Sequence, residues 1–330
     1  MKVTIKEIAH RAGYSASTVS RLLNDDATLS ITSTTRQKIL AVAQELGYWK
    51  DKPHPKITAQ IALLTLINPA DHLEDNYFQT LDQAVHEAFS GTGLELTAFH
   101  QVDDLLKVAK DYQGFVAIGT DGLNGIDLEI LHRAFARGIF IDSNPAPQYF
   151  DSIQPNLHLT VRNAYYELKK AGKVPIAFIG GEGPLVNGQR QPDPRAATFA
   201  QLAPDSRWQL ATGPFNVQNG YQLGKQLLKR FGKQRPQGLI VASDTLSVGV
   251  LQAFNEAGVL VPRDLALISI NDSDVAKYVS APLTTYRIDQ LAMCDLAVQL
   301  IKAALTGQAH RPHIHALVDT ELIIRKSFAP

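Results

Sequence analysis

The sequence predicts a small all-α module followed by a large two-lobed α/β domain of doubly wound parallel sheets. Three observations carry this. Residues 1–48 hold short amphipathic helical patterns with cap residues and no strand pattern. From residue 59 on, uninterrupted apolar runs of strand length alternate with helical patterns, the signature of a parallel sheet covered on both faces. The 272 residues from 59 to 330 exceed what one such unit usually needs, so two lobes are expected. The domains are therefore 1–48, a linker at 49–58, and 59–330. The first lobe takes about 59–154 and 286–313, the second about 155–285 and 314–330.

In the first module, Thr4 and Glu7 form a T-x-x-E capping box that opens a helix. Ile5, Ile8, Ala9 and Ala12 share one face, and Gly13 suits the left-handed residue that ends it. Ser15 caps a second short helix whose buried stripe is Val19, Leu22 and Leu23. A third helix starts near Thr32 or Ser33, buries Ile39, Val42, Ala43 and Leu46, and stops at Gly47.

The second helix has the design of a recognition helix. Its outward Ala16, Ser17 and Ser20 are small, so its backbone can approach the edge of a duplex. Arg21 can give two hydrogen bonds to guanine, worth about 1–3 kcal/mol of base discrimination. Ser15, Thr18, Ser20 and Asn24 offer uncharged donors to phosphate oxygens. Any one of these hydroxyls is better explained as a helix cap; the whole stretch is not.

Charge points the same way, weakly. Lys plus Arg equals Asp plus Glu at 32 each, so the chain as a whole is no polycation. Residues 1–58 nevertheless carry nine basic and five acidic residues, +4, against −4 for the remainder. Cys294 is the single cysteine, so no intrachain disulfide or cysteine-based metal cluster is possible. There is no signal-peptide core and no membrane-length apolar run, so a cytoplasmic protein is expected.

In the large domain, "IALLTLI" (61–67) reads as a fully buried strand. Further strands fit 94–99, 115–119, 139–142, 176–180, 238–243 and 265–270. Helices fit 77–90, 127–137, 158–171, 217–231, 245–257 and 289–305. Ligands of such folds bind beyond the carboxyl ends of strands. Asp142, Ser243, Asp244, Asn271 and Asp272 fall there, and Arg195 lies after the 176–180 strand. Carboxylates, an amide and a forked guanidinium suit a polyhydroxylated ligand, and Tyr77, Phe78 or Phe215 could stack on a sugar face. For each residue singly, a cap or a local ion pair is an equal explanation.

These segments carry a resemblance. "TIKEIAHRAGYSASTVSRLLN" (4–24) resembles the helix-turn-helix of the LacI/GalR repressor family, and "TRQKILAVAQELGY" (35–48) its third helix. "VASDTLSVGVLQAFNEAGVLVPRDLALISIND" (241–272), "APLTTYRIDQLAM" (281–293) and "LVDTELIIRKS" (317–327) are similar to the family's later blocks, the last to its closing strand. The likeness runs nearly end to end.

It implies a periplasmic-binding-protein-like second domain. It also implies DNA contacts at Thr4, Ser15, Ala16, Ser17, Thr18, Ser20, Arg21 and Asn24, with Ala16 and Ser17 where the family varies its operator choice. Effector contacts are implied at Asp142, Arg195, Ser243 and Asn271, with Phe215 matching an aromatic pocket wall; Tyr77 joins the candidate effector contacts on its aromatic ring alone. Ser243 stands where members often have Asn, and Asn271 where they often have Asp. The linker "WKDKPHPKIT" (49–58), with Pro53 and Pro55, shows none of the family's usual hinge helix. In that it resembles the branch that represses galactose or galactoside genes.

The function expected is a sequence-specific transcriptional regulator, a repressor of sugar-utilisation genes released by a small sugar. Its partners are a pseudo-palindromic double-stranded operator, the sugar effector and a second copy of the chain. The two recognition helices would enter grooves about 34–36 Å apart or a multiple of that. "RKSFAP" ends the chain with no heptad tail, so a dimer is expected rather than a coiled-coil tetramer. No cofactor, metal or membrane is expected. "GGEG" (180–183) lacks the Lys-Ser/Thr of a phosphate loop, and no G-x-S-x-G elbow or nucleophile–base set is present, so no enzyme is expected. His310, His313 and His315 read as surface histidines. The alternatives are a sugar-binding protein or a sugar-processing enzyme with no role at DNA.

Overall fold

The computed structural model describes residues 3–23, 29, 31–46, 48, 59–67, 76–183, 185–186, 189–204, 207–232, 235–305 and 312–329. The chain forms two units, Met1–Thr58 and Ala59–Pro330.

The first unit contains α1 (Ile5–Ala12), α2 (Ala16–Leu23) and α3 (Ser33–Glu45). Each start follows from a hydroxyl. Thr4 Oγ1 accepts from Glu7 N at 3.3 Å, Ser15 Oγ from Thr18 N at 3.1 Å, and Thr32 Oγ1 from Thr35 N at 3.2 Å. Gly13, at φ 79°, turns the chain out of α1. Ile8, Ala9 and Ala12 of α1, Val19, Leu22 and Leu23 of α2, and Ile39 and Ala43 of α3 share one core, with Val42 and Leu46 packed at its edge. Arg11 bridges to Glu45 at 2.6 Å, tying α1 to α3. The end at Gly47 and the whole 49–58 linker, including the expectation that it lacks a hinge helix, lie outside the described residues.

The second unit is built on two six-stranded sheets. The first has the order β13-β5-β4-β3-β1-β2 and is parallel throughout. It comprises β1 (Ala59–Leu66), β2 (Leu94–Phe99), β3 (Gly114–Gly119), β4 (Gly138–Ile141), β5 (Asp151–Pro155) and β13 (His315–Val318). The second has the order β14-β12-β11-β10-β6-β9. Its strands are β6 (Ile176–Gly180), β9 (Gln209–Ala211), β10 (Gly238–Val241), β11 (Ala266–Asn271), β12 (Thr284–Arg287) and β14 (Glu321–Ile323), which alone runs antiparallel. A small hairpin, β7 (Leu185–Val186) with β8 (Gln189–Arg190), follows β6.

The continuous apolar strands are explained by covering layers. On β1, Ile61 and Leu63 face one core while Ala62, Leu64 and Leu66 face another, so the run 61–64 is apolar on both faces. The first lobe is covered by α4 (Asn76–Phe89), α5 (Val102–Lys107) and α6 (Gly125–Ala134), the second by α7 (Leu157–Lys170), α8 (Pro194–Leu202), α9 (Val217–Lys229) and α10 (Asp244–Glu256). The long α11 (Gln290–Leu305) returns to the first lobe and packs on α4, β4 and β5.

The chain passes between the lobes after β5, after β12 and after β13. The last crossing differs from expectation. The sequence places residues 314–330 in the second lobe, with 317–327 resembling one closing strand. Instead β13 adds to the first sheet beside β5, with Ser152 N bonded to Ile314 O at 2.9 Å, and only β14 onward belongs to the second. The open edge of β5 takes up the strand, and Asp319-Thr320 breaks it. The crossings are laced together by Asn156 N to Val318 O (2.8 Å), Asn156 Nδ2 to Asp319 Oδ1 (2.8 Å) and Thr160 Oγ1 to Thr320 Oγ1 (2.8 Å).

Helices α9 and α10 touch through glycines. A Cβ on Gly249 would overlap the carbonyl oxygen of Val217 and crowd Tyr221 N; one on Gly220 would overlap the carbonyl oxygen of Leu246. Gly249→Ala is therefore expected to cost about 2 kcal/mol or more by forcing the helices apart. Gly232→Ala, with open space around it, serves as the control. Equal thermal unfolding midpoints for the two variants would refute the close-approach account.

Candidate functional site

The first unit presents α2 as an exposed rod. Val19, Leu22 and Leu23 are buried beneath it, which leaves Ala16, Ser17 and Arg21 exposed and Thr18 and Ser20 half-buried. Ser17 and Arg21, four residues apart, share a face. Two predicted contacts are already occupied locally: Thr4 caps α1 and Ser15 caps α2. Ser15 Oγ also lies 2.8 Å from Ser17 Oγ and 2.7 Å from Thr18 Oγ1, which knits the helix start into one hydroxyl cluster. Asn24 lies outside the described residues.

In the second unit, four of the six residues expected at the effector gather between the lobes. The phenol of Tyr77, at the start of α4, donates to Asp142 Oδ1 at 2.5 Å. Asp142 follows β4 with φ 70°. Burial, and then the neighbouring Asp142 carboxylate, push the Tyr77 phenol well above its ordinary pKa, so it stays a donor. The ring of Tyr77 packs edge-on to Phe78 at 5.4 Å, so it acts here through its hydroxyl rather than as an open stacking face.

Across the cleft, Arg195 stands in the first turn of α8. Its Nε and Nη2 donate to Asp193 Oδ1 and Oδ2 at 2.9 and 2.6 Å, and its Nη1 to the carbonyl of Ala242 at 2.9 Å. The guanidinium carbon lies 4.5 Å from the centre of the Phe215 ring. Burial alone would raise the Asp193 carboxyl and lower the guanidinium. The ion pair outweighs it at both ends, holding Asp193 below the usual carboxylate range and Arg195 above its own. Asp142 and Tyr77 also hold the proton on Arg195, which places both lobes' groups within electrostatic reach.

The other two are placed differently. Ser243 is buried and its hydroxyl caps α10 by accepting from Leu246 N at 3.2 Å. Asn271 ends β11 at φ 117°, and its carbonyl accepts from Ile288 N at 3.4 Å. Asp142, Asn271 and Asp272 are the non-glycine residues with positive φ among those described, and all three end strands beside this cleft. A cavity of about 250 Å³ opens between Asn76 of the first lobe and Val217, Thr245, Val248, Ser273, Asp274 and Val275 of the second. It adjoins Tyr77 and Ser243 in sequence rather than enclosing Arg195.

Comparison with known proteins agrees with this architecture. The model for bacterial regulatory proteins of the lacI family matches residues 4–51, and that for a periplasmic binding protein-like domain matches 166–328. The HTH-type transcriptional regulator LacR of Lactobacillus helveticus is 44% identical over 99% of this chain and 98% of its own length. The chain belongs to the lacI family. The HTH-type transcriptional regulator GanR of Bacillus subtilis (strain 168) is 37% identical over 98% of this chain and 99% of its own. Among solved structures, the lac repressor dimer bound to operator and the anti-inducer ONPF shares the fold with a TM-score of 0.66 at 20% identity, covering 99% of each chain. A CelR–cellobiose complex does so with a TM-score of 0.67 at 21%, covering 99% of this chain and 100% of that one. This family member is thus a helix-turn-helix transcriptional regulator with a two-lobed ligand-binding domain.

Sequence reasoning missed Asp193, the partner that fixes Arg195. The signal was present, since Asp193-Pro194 is a cap followed by proline at the first helical position, and Asp193 does accept from Arg195 N at 2.9 Å. It also missed Arg325, whose Nη2 meets Asp272 Oδ1 at 2.6 Å. His313 sits 3.6 Å from Asp151 and His315 3.0 Å from Ser152 Oγ, while His310 lies outside the described residues. Among the described residues no group of three or more His, Cys, Asp or Glu could hold a metal, and no helix is long and apolar enough to cross a membrane.

Asp244, which sequence alone left as a possible cap, is buried in the first turn of α10. It accepts from Ser273 N (2.7 Å), Ser273 Oγ (3.1 Å) and Thr285 Oγ1 (2.9 Å), pinning the loop after β11 to β12. Burial, partly offset by these hydrogen bonds, raises its carboxyl to about 6. A raised carboxyl favours the fold most when protonated, and that contribution is lost as pH climbs through about 6. Between about pH 5 and pH 7.5, wild type should lose about 1 kcal/mol more stability than Asp244→Asn, measured by urea unfolding. Parallel pH profiles would show that Asp244 titrates normally.

Proposed function

We propose that this regulator represses genes of galactose or galactoside utilisation and is released from its operator by a small sugar held between the lobes. The observation that carries the ligand half is the convergence of Tyr77 and Asp142 from one lobe with Arg195 and Phe215 from the other. Acceptor, donors and an aromatic face meet across a cleft between two lobes, so a ligand touching both sides favours an arrangement that brings the lobes together. The full-length likeness to regulators named LacR, GanR and GalR supports the sugar class and the branch. On the DNA side, the exposed Ala16, Ser17 and Arg21 read bases, while Thr4, Ser15, Thr18, Ser20 and Asn24 set the docking register on phosphates. Two copies bind one operator. The chain binds its sugar without turning it over.

Sugar control is allostery only if the ligand distinguishes two states of the domain, so operator affinity and sugar affinity must be linked reciprocally. Fluorescence anisotropy on promoter fragments from the gene's own neighbourhood, with and without sugar, tests the proposal; no sequence-specific binding to any of them would refute it. Arg21→Ala should weaken operator binding by about 1–3 kcal/mol while sparing non-specific DNA binding. Equal loss on all sequences would remove Arg21 from base reading. Asp142→Asn should leave operator affinity intact and weaken release by sugar roughly tenfold or more, through loss of a charged acceptor. An unchanged sugar response would take Asp142 out of the pocket.

A further inference from the structure

We infer that the second lobe carries a second ligand site, a pocket for the phosphate group of a small phosphorylated compound, at the end of its sheet opposite the cleft. The inference goes beyond the sugar reading and does not rest on it.

β6, β10 and β11 lie side by side and run parallel. The carboxyl ends of β10 and β11 lead to Ser243 and Asn271 at the cleft. The amino ends lie about 20 Å away, the span from Leu265 to Asn271 at about 3.3 Å per residue. There the three entering segments surround a cavity of about 200 Å³. Lys173 lines it from before β6, Arg235 and Gln237 from before β10, and Arg263 and Asp264 from before β11. Three cationic side chains against one carboxylate leave the pocket a net charge of +2.

Asp264 is engaged by the nearest cation. Arg263 Nε donates to its Oδ1 at 3.1 Å and Nη2 to its Oδ2 at 3.0 Å. The hydrogen bonds from Arg263, then that from Leu260 N, and less strongly the Arg235 charge, hold this carboxyl below the usual range. Arg235 is thus within electrostatic reach of the pair, and Lys173 and Arg235 supply the surplus charge. The helices that lead into β6 and β10 have their own complement, with Lys169 and Lys170 in the last turn of α7 and Lys229 in that of α9.

The cations are held in advance. Each stands within two residues of a proline, Pro175, Pro236 or Pro262, which restricts the backbone at and before it. Gln237 N donates to Pro175 O and Ala266 N to Gln237 O, each at 2.8 Å, so the three segments are laced together. Leu260 N donates to Asp264 Oδ2 at 2.9 Å and Asp264 N to Leu260 O at 2.7 Å, closing the loop that carries Arg263. A Cβ on Gly238 would come within 2.7 Å of the Lys173 carbonyl oxygen, so the first two segments touch. A ligand arriving here has little backbone left to order.

Size and donors decide the ligand class. The cavity is smaller than the usual site for a drug-sized molecule, and suits one phosphate group with a few atoms beside it. Guanidinium forks and an ammonium are the donors that phosphate oxygens match, and the Gln237 amide adds a neutral one.

Calorimetric titration of the full-length protein with inorganic phosphate and with glycerol 3-phosphate tests this, with glycerol as the neutral comparator. Both anions should bind saturably and glycerol should not. Lys173→Gln and Arg235→Gln should each weaken binding about tenfold, through loss of one charge-assisted contact. Lys225→Gln, on the exposed side of α9, and Asp142→Asn, in the cleft, should leave it unchanged. No binding of either anion overturns the site. Binding unmoved by both pocket variants overturns it as well, and a change in Asp142→Asn would then put the anion in the cleft. Inorganic phosphate that binds where the ester fails keeps the site and makes free phosphate its ligand. Failure of sugar to bind bears on the proposed function and leaves this site standing.

Discussion

The large domain depends on one buried ion pair. Asp193 and Arg195 are two residues apart, yet together they hold three segments in place. Asp193 caps α8, Arg195 reaches the end of β10 through the Ala242 carbonyl, and the guanidinium lies over Phe215 in the approach to α9. Such a pair is not retained for stability alone, because desolvating both charges consumes much of what their attraction returns. Breaking it is another matter: removing either partner strands the other in a low-dielectric site, at a cost of about 3–5 kcal/mol. The pair therefore fixes the position of the guanidinium on the second lobe's side of the cleft, and under the proposed function it does so before any ligand arrives.

The first lobe answers with a simpler device. Tyr77 and Asp142 come from elements far apart in sequence and meet only because β1 and β4 flank β3 in the parallel sheet. Gln290, where α11 begins after a crossing, donates to the carbonyl of Tyr77 at 2.9 Å. Tyr77 is thus tied both to the cleft and to one of the three segments on which the lobes would turn. Asn156, Thr160, Asp319 and Thr320 bond the other two segments to each other. Under the proposed function, any lobe movement passes through these few hydrogen bonds, which makes the crossings the place where ligand state would be converted into domain geometry.

Legibility in the sequence followed locality. The caps at Thr4 and Ser15 and the turn at Gly13 are decided within four residues and stand where the sequence put them, although only the Thr4 half of the expected capping box forms; α3 starts at the expected place, with Thr32 as its cap. The buried strands were readable because both faces are covered. β5, reading Asp-Ser-Ile-Gln-Pro, was not, since its polar residues serve the crossing: Asp151 accepts from Ile314 N at 2.8 Å and Ser152 meets His315. Its identity as a strand comes from β4 and β13, long-range neighbours that no local pattern announces. β9 and β12 were hidden by the same brevity and polarity. In the cleft, strand ends gave Asp142 and Asn271, but the pairing that neutralises Arg195 needs three dimensions.

The positive φ angles complete the account of the site. A non-glycine residue in the left-handed region costs about 1–2 kcal/mol, less for Asp and Asn, whose short side chains bond locally. The cleft holds three of them at strand ends, each an Asp or Asn. Each is held by the sheet beside it. Asp142 N bonds to Ile153 O at 2.8 Å, the carbonyl of Asn271 accepts from Ile288 N at 3.4 Å, and Asp272 N bonds to Thr285 Oγ1 at 3.3 Å. The left-handed step turns the chain at the end of the strand, so the next side chains leave the alternation of the pleat and are re-aimed beyond the sheet. The left-handed steps are thus where hydrophobic strands give way to polar groups, and the hydrogen bonds from neighbouring strands offset their cost.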